Sequence, residues 1–398
     1  MEVFGPGMAY SQTRPDGFLR TPMRFLHTSD WHLGKTLCNT NLLEDQAHVL
    51  DQVVAMVRDC RAEALVVAGD IYDRAVPPKE AVALLSETLD RLVRGCGVPV
   101  LLIAGNHDSP ERLGFASSFL GSQGLHLAGP LDPSPTPILI GNTAFHLLPY
   151  ADPTMARFAL GEEGLRSHQD VLAAQLARAR QAHPAGYRFV AVAHAFVAGS
   201  AISDSELGLA VGGTGEVEAS LFADCDYTAL GHLHRPQEAG LPQVRYAGSL
   251  LKYSASEAGH VKALTLVDLP DQGPVHTEPM PLNPRRDLRR LRGRFEDLLQ
   301  GPYGQAEDYL FLDLLDDGPV LDAMARLRQI YPNILGIQPA ALASARPEGV
   351  QEIRAADLNP DTLFRSFFEE VQGRPMDAEE AAVFHELSGR ILADEVQP

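Results

Sequence analysis

The chain has 398 residues, 45% of them hydrophobic and 21% charged, with a formal net charge of −19. That is the composition of a globular protein with chain enough for two or three domains. No stretch is apolar and long enough for a membrane span. The acidic balance argues against bulk electrostatic binding of nucleic acid, although bound divalent cations would reverse the sign locally. Cys38, Cys60, Cys96 and Cys225 form no CxxC pair, so zinc-ribbon and thioredoxin readings lack support and a reducing cytoplasm is expected.

Residues 1–22 hold Gly, Pro, Ser and Arg without an apolar core. They are expected to be a disordered leader and not a secretory signal, with Met23 as a candidate start of the folded part. From there apolar runs alternate with helical spacing. Phe25 to Ser29 reads as a strand, and Leu42 to Cys60 as a helix whose Leu43, Ala47, Leu50, Val54 and Val57 share a face. Ala64 to Ala68 reads as a strand, Lys79 to Arg94 as a helix behind Pro77-Pro78, and Val98 to Ala104 as a buried strand. A helix from Ser109 to about Leu120 follows. Its apolar positions and those of 79–94 suit either internal packing or a dimer face. Gly141-Asn142 joins Ile138–Ile140 to Ala144–Leu148 as a hairpin. A helix from Asp170 to Ala182 precedes a strand ending at His194. Later strands, Val244–Ala247 and Val261–Val267, are expected to complete a second sheet layer. The fold class is α/β, two sheets flanked by helices.

Near residue 275 the texture changes. Pro279, Pro281 and Pro284 mark a linker, followed by six arginines in the ten residues from Arg285 to Arg294. Of these, Arg285, Arg286, Arg289 and Arg290 are candidate contacts to DNA phosphates, or part of a solvated helix face. Tyr309–Leu315, Val320–Ile330 and Ile334–Ile337 read as strand, helix and strand. The expected domains are 23–275, a small α+β domain over 276–345, and a tail over 346–398 with helices at 361–371 and 377–392. Leu363, Phe364, Phe367, Phe368 and Val371 form an apolar stripe on the first tail helix.

Five apolar runs end in residues bearing N or O donors: Asp30-Trp31-His32, Gly69-Asp70, Gly105-Asn106-His107-Asp108, His194, and Gly231-His232-Leu233-His234. Ligands in open α/β sheets sit beyond the carboxyl ends of strands, so these ends are expected to gather at one sheet edge. In extended backbone, residues two apart point the same way, which lets Asp30 and His32, or His232 and His234, face one site. Asp70 can bridge two cations. Asp30, His32, Asp70, Asn106, His194, His232 and His234 are too many ligands for one catalytic ion and suit two that share Asp70. Mixed N/O donors favour manganese, iron or zinc over calcium. Such a pair of ions clamps a phosphate. His107 is left as a non-ligand proton donor or cationic stabiliser, with Asp108 expected to orient it. Asp73 is the further acid near the site. His27, His48, His126, His146, His168 and His183 lie outside the pattern.

These motifs resemble those of the calcineurin-like metallophosphoesterases. Six segments bring the likeness closer, to the bacterial Mre-type nucleases: Thr28–Gly34, Gly69–Asp73, Ala104–Ser109, Ser203–Glu206 with Val211-Gly212-Gly213, Ala229–Gln237 and Gly248–Ser254. The resemblance is strong over 23–275 and weaker beyond. It implies one Mn2+ held by Asp30, His32, Asp70 and His234, and a second by Asp70, Asn106, His194 and His232, with Mg2+, Fe2+ or Zn2+ as substitutes. It gives His107 the catalytic, non-ligand role. It also implies a capping domain, a homodimer formed through nuclease-domain helices, and a tail that binds a coiled-coil ATPase of the SbcC type. The implied activity is 3′ to 5′ exonuclease action on double-stranded DNA and endonuclease action on single strands and hairpins. That activity would serve repair, recombination and replication in the cytoplasm at the nucleoid. A phosphatase or small-molecule phosphodiesterase on the same site, and a non-catalytic DNA- or ATPase-binding scaffold, are the rival readings.

Overall fold

A computed structural model describes Pro22–Glu206, Gly215–Pro339 and, further on, Arg374, Met376, Asp377, Glu380, Ala381 and Phe384. The expected leader and the helix at 361–371, with its Leu363–Val371 stripe, lie outside the described residues. At the start of the second expected tail helix, the Asp377 and Glu380 amides each bond the other residue's carboxylate at 3.0 and 2.9 Å, the reciprocal pattern of a helix N-terminus.

Two six-stranded sheets carry the main body. The first runs in the order His276–Pro281, Ala263–Leu269, Met23–Thr28, Ala64–Val67, Val100–Ile103, Leu125–Ala128. Its last four strands are parallel, as the βαβ series predicts, and the first two are antiparallel. The second runs Gln237–Ala239, Leu241–Tyr246, Tyr227–Gly231, Arg188–His194, Thr143–Leu148, Ile138–Ile140. The Gly141-Asn142 hairpin forms as expected. The helices Leu43–Asp59, Lys79–Asp90 and His168–Ala182 match their predicted spans to within a few residues.

Alternation along the strands divides the core. Phe25, Val66, Leu101 and Ile103 face Phe145, Val190, Val192 and Tyr227 between the sheets. Leu26, Leu65, Val67 and Leu102 point the other way, under the helix Leu43–Asp59. The layer between the sheets contains a buried polar tie. His27 is fully buried, and because the Leu230 carbonyl can only accept, Nε2–H donates to it at 3.2 Å. The Tyr227 hydroxyl then donates to Nδ1 at 2.9 Å. The bond fixes the tautomer and links the sheets.

Several expectations are corrected. Ala263–Leu269 joins the first sheet beside Met23–Thr28, and only Leu241–Tyr246 joins the second. The segment read as a proline linker, His276–Pro281, is an edge strand of the first sheet; prolines are tolerated there because an edge leaves backbone donors unpaired. The helix expected from Ser109 to Leu120 is two short pieces, Pro110–Leu113 and Ser117–Gly121, broken where Ala116 takes φ 58°. The arginine segment is a strand and not a helix. Leu288–Gly293 pairs in parallel with Tyr309–Leu314, and that strand with Ile334–Pro339, around a core that includes Phe295, Leu310, Leu312 and Tyr331. Leu288 and Tyr309 of this cap also pack in the core of the main body.

Burial pushes the His27 imidazole down to about 3. A histidine kept neutral in the fold contributes stability that is present above the unfolded value near 6.5 and is lost as pH falls towards the folded one. Urea unfolding of metal-free protein should lose about 1.4 kcal/mol per pH unit on this account between pH 6 and 4. His27→Gln, with no proton to bind there, should show a slope shallower by that amount.

Candidate metal centre

The five donor-bearing strand ends meet at one place but on two sheets. Asp30, Asp70 and Asn106 follow strands of the first sheet, while His194 and Gly231-His232 close strands of the second. Beyond the strand ends the backbone ladder continues: Asp30 N bonds Gly69 O at 3.0 Å, His32 N bonds Asp70 O at 2.9 Å and Leu33 N bonds Ile71 O at 2.9 Å. The loops turn sharply to do this. Asp30, His32, Asp70 and His232 take φ of 51°, 45°, 51° and 109°, values that non-glycine residues adopt only under constraint and that cluster at functional sites. Asp30 and His32 thus share a site through paired left-handed turns, not through the extended backbone that their spacing suggested. Gly69 takes φ 89°, and a Cβ there would strike the His194 ring; a Cβ on Gly105 would strike Asp70. Both motif glycines are required by this close approach.

The donors fall into two groups around the Asp70 carboxylate. His32 Nε2 lies 3.1 Å from His234 Nε2 and 3.7 Å from an Asp70 oxygen, and Asp30, His32 and His234 have donor atoms close enough to share one cation. On the other side Asn106 Oδ1 lies 2.9 Å from His194 Nε2 and 3.0 Å from His232 Nδ1, with His194 Nε2 3.4 Å from Asp70. Asp30, Asp70 and His194 form a second candidate cluster. All seven expected ligands are brought together. His194 Nδ1 faces the Ala68 carbonyl at 2.9 Å, which puts a proton on Nδ1 and turns Nε2 towards Asp70 and Asn106.

The charges of the site answer one another. Burial alone would raise Asp70, but His194, with His32 and His107 nearby, outweighs it and holds the carboxyl well below its usual range. Burial likewise opposes protonation of His194, yet Asp70 raises that imidazole to about 9. Burial drives His32 far down and His232 down to about 3, so both keep neutral rings. Burial raises Asp30 to about 6. Carboxylate and amide oxygens from three residues beside four imidazoles, buried and within a few ångströms of one another, fit two divalent cations of the manganese, iron or zinc type.

His107 sits beside this cluster, its ring edge-on to His32 at 4.9 Å between centroids. Its Nδ1 lies 3.0 Å from the main-chain oxygen of Asp73, and its amide donates to Asp70 at 2.9 Å. Asp108 does not orient it. Instead, the Asp108 carboxylate accepts from the amides of Ile71, Tyr72 and Gly105 at 3.1, 3.0 and 2.9 Å and clamps two ligand loops together. The Asp73 carbonyl performs the orienting. The arginine cluster is committed elsewhere: Arg285 pairs with Glu44 and Arg286 with Asp45, Arg289 with Asp308 and Arg290 with Asp313. The first two tie the cap to the helix Leu43–Asp59, and the others tie strands within the cap. Free guanidiniums for phosphate contact are therefore not what these four present. Sequence reading missed Gln46, Glu257 and Lys262, and gave no role to Glu206 within the Ser203–Glu206 segment. Gln46 Nε2 donates to the His32 carbonyl at 2.7 Å and its Oε1 accepts from Gly34 at 3.0 Å. Their only signal was a polar residue within an apolar helical face or next to a motif.

Two facing sheets with a cluster of buried His and Asp donors at their shared edge suit a metallophosphoesterase. The family model described as calcineurin-like phosphoesterase matches residues 23–236, and that described as type 5 capsule protein repressor C-terminal domain matches 284–372. A protein of Staphylococcus saprophyticus, named as the D subunit of the nuclease SbcCD, is 31% identical over 94% of this chain and 99% of its own length. Its namesake in Staphylococcus epidermidis is 31% identical over 87% of this chain and 92% of its own. Among solved structures, TT1561 of Thermus thermophilus is 15% identical with a TM-score of 0.39, covering 65% of this chain and 99% of that one. A dimetal phosphatase from Danio rerio is also 15% identical, with a TM-score of 0.38, over 66% and 99%. The chain belongs to the SbcD family within the calcineurin-like phosphoesterases, and is a metal-dependent phosphodiesterase.

A cation that takes His194 Nε2 must displace the proton that Asp70 holds there, so loading releases protons and tightens as pH rises towards 9. Calorimetric titration of metal-free protein with Mn2+ at pH 7 should count two ions per chain, with an enthalpy that depends on the buffer's ionisation heat. Asp70→Asn, which removes the shared carboxylate, should weaken both events.

Proposed function

We propose that this chain is a manganese-dependent DNA nuclease, the subunit that cuts in a complex with an SbcC-type coiled-coil ATPase. It would act from double-strand ends as a 3′ to 5′ exonuclease and open hairpins and single strands endonucleolytically, in repair, recombination and replication at the nucleoid. The observation that carries this reading is the gathering of two groups of donors around Asp70 with His107 beside them, in a chain 31% identical to a named nuclease subunit over nearly its whole length. Mn2+ would be held by Asp30, His32, Asp70 and His234, and by Asp70, Asn106, His194 and His232.

The ions, when bound, supply Lewis acidity to a phosphodiester and a water nucleophile at neutral pH. The rest is done by the chain. With Nδ1–H donated to the Asp73 carbonyl, His107 keeps Nε2 for the reaction, where an N–H would serve a phosphoryl oxygen or the leaving oxygen. Asp108 holds the loops of Asp70 and Asn106 at fixed separation through three amides. Gln46 holds the backbone of His32 in its turn. The domain scheme is a nuclease body to about Pro281, a cap to about 345, and a tail that receives the ATPase through the stripe Leu363, Phe364, Phe367, Phe368 and Val371.

A homodimer fits the exposed face beside the site. Phe115 and Phe119 are 79% and 69% exposed, unusual for phenylalanine. They flank a groove of about 940 Å³ that Val82, Leu85, Leu89 and Val93 also line. This is the apolar surface of 79–94 and 109–120 left uncovered in one chain.

Two experiments test the reading. With end-labelled linear and hairpin DNA, Mn2+ should support cleavage by wild type. His107→Gln should cut about 10²- to 10⁴-fold more slowly while still binding two ions. Turnover of small phosphodiesters without any DNA cleavage, even with the ATPase added, would point instead to a small-substrate enzyme. In solution, light scattering should report a dimer for wild type and a monomer for Phe115→Asp/Phe119→Asp.

A further inference from the structure

The two cation pockets differ in what stands behind their histidines. In the pocket of Asp30, His32 and His234, the inner nitrogen of His234 faces Glu257 at 3.2 Å and the Ser205 hydroxyl at 3.0 Å. Glu257 is fully buried and bonds Lys262 Nζ at 2.6 Å. Lys262 spends its other two N–H groups on the His234 carbonyl at 2.7 Å and Ser249 Oγ at 2.8 Å. A second carboxylate, Glu206, accepts from the His234 amide at 2.7 Å.

His32 repeats the arrangement in looser form. Its Nδ1 is buried and has no hydrogen-bond partner. The Asp73 carboxylate lies 3.6 Å from it and is paired with Lys35 Nζ at 2.7 Å. A cation on Nε2 leaves the proton of His32 on Nδ1, pointing at that carboxylate. Among the described residues the other pocket has nothing comparable: His194 leans on the neutral Ala68 carbonyl, and His232 directs its Nδ1 into the pocket itself.

A carboxylate that accepts a ligating imidazole's N–H fixes the ring and makes it a stronger donor, and such outer partners change metal affinity by about 10- to 100-fold. The lysine behind each carboxylate offsets its buried charge and keeps it from taking the imidazole proton. We propose that Asp73–Lys35 and Glu257–Lys262 are positioning pairs that make the Asp30–His32–His234 pocket the tight cation site, and that the Asn106–His194–His232 pocket is the exchangeable one. The inference rests on the two-ion reading above. Cleavage would then follow occupancy of the weaker pocket as Mn2+ rises.

The test is Mn2+ titration of metal-stripped, full-length protein, followed by calorimetry and by the EPR signal of free and bound Mn2+. Wild type should show two events separated by about tenfold or more. His194→Ala should remove the weaker. Asp73→Asn, at a partly exposed position, should weaken the tighter event by about 10-fold or more and leave the other in place. Glu257→Gln should do the same. Because it strands the buried Lys262 charge, Glu257→Gln/Lys262→Met is measured beside it, with metal-free melting as the check on folding. Two events of equal affinity in wild type, or acid variants that fold and weaken only the looser event or neither, would overturn the inference and leave the two-ion reading intact. Wild type binding one ion or none would instead remove the two-ion reading itself.

Discussion

A buried carboxylate at the seam of two sheets sets the terms for the rest of the molecule. Asp70 is almost wholly enclosed, and a charge in such a place costs several kcal/mol unless it is paired. His194 comes to it from the second sheet, and His32 and the His107 amide from loops of the first. The close approach then dictates local details that look unrelated in the chain. Gly69 and Gly105 have no room for a side chain. Three of the four left-handed non-glycine residues of the site stand where the Asp30 and Asp70 loops run in step. Each such residue costs about 1–3 kcal/mol of backbone strain, which the interlocked amide bonds and the Asp108 clamp offset.

Alignment of the two sheets is what brings the seam together, and that alignment is mostly apolar. The Phe25 ring packs edge-on against Phe145 at 5.2 Å and Tyr227 at 5.7 Å. His27 adds a directional link in the same layer. Non-directional packing sets the spacing of the sheets, and a hydrogen bond sets their relative slide. Donors on one sheet can then meet donors on the other within hydrogen-bond distance.

The helix Leu43–Asp59 connects this centre to the cap through adjacent residues. Asp45 receives the Tyr309 hydroxyl at 2.8 Å and pairs with Arg286. Gln46, the next residue, holds the loop of His32 and meets the Tyr253 hydroxyl at 3.1 Å. Much of the arginine run is therefore an anchor. Its positive charge is answered by acids of the same chain, in keeping with the acidic whole.

Much was legible from the residues alone. The five donor-bearing strand ends, the central βαβ series and the hairpin are local patterns: apolar runs, helical spacing and turn residues announce themselves within a dozen positions. The cluster of donors was legible because donor types stand where an apolar strand end otherwise lacks them. Other features depend on contacts between distant segments. Ala263–Leu269 pairs with Met23–Thr28 across some 240 residues, and nothing in its own sequence says which sheet it joins. His276–Pro281 carries prolines that suit a linker and an edge strand equally. Asp108 yields its expected part to the Asp73 carbonyl, because the direction of a side chain at a turn follows from the backbone around it. Glu257 and Lys262 carry no motif, since a buried ion pair is recognisable only when the fold has enclosed it. The residue types and their order determined which chemistry this chain can perform; tertiary structure decided which groups stand behind which ligands, because that is set by the packing of one sheet on another.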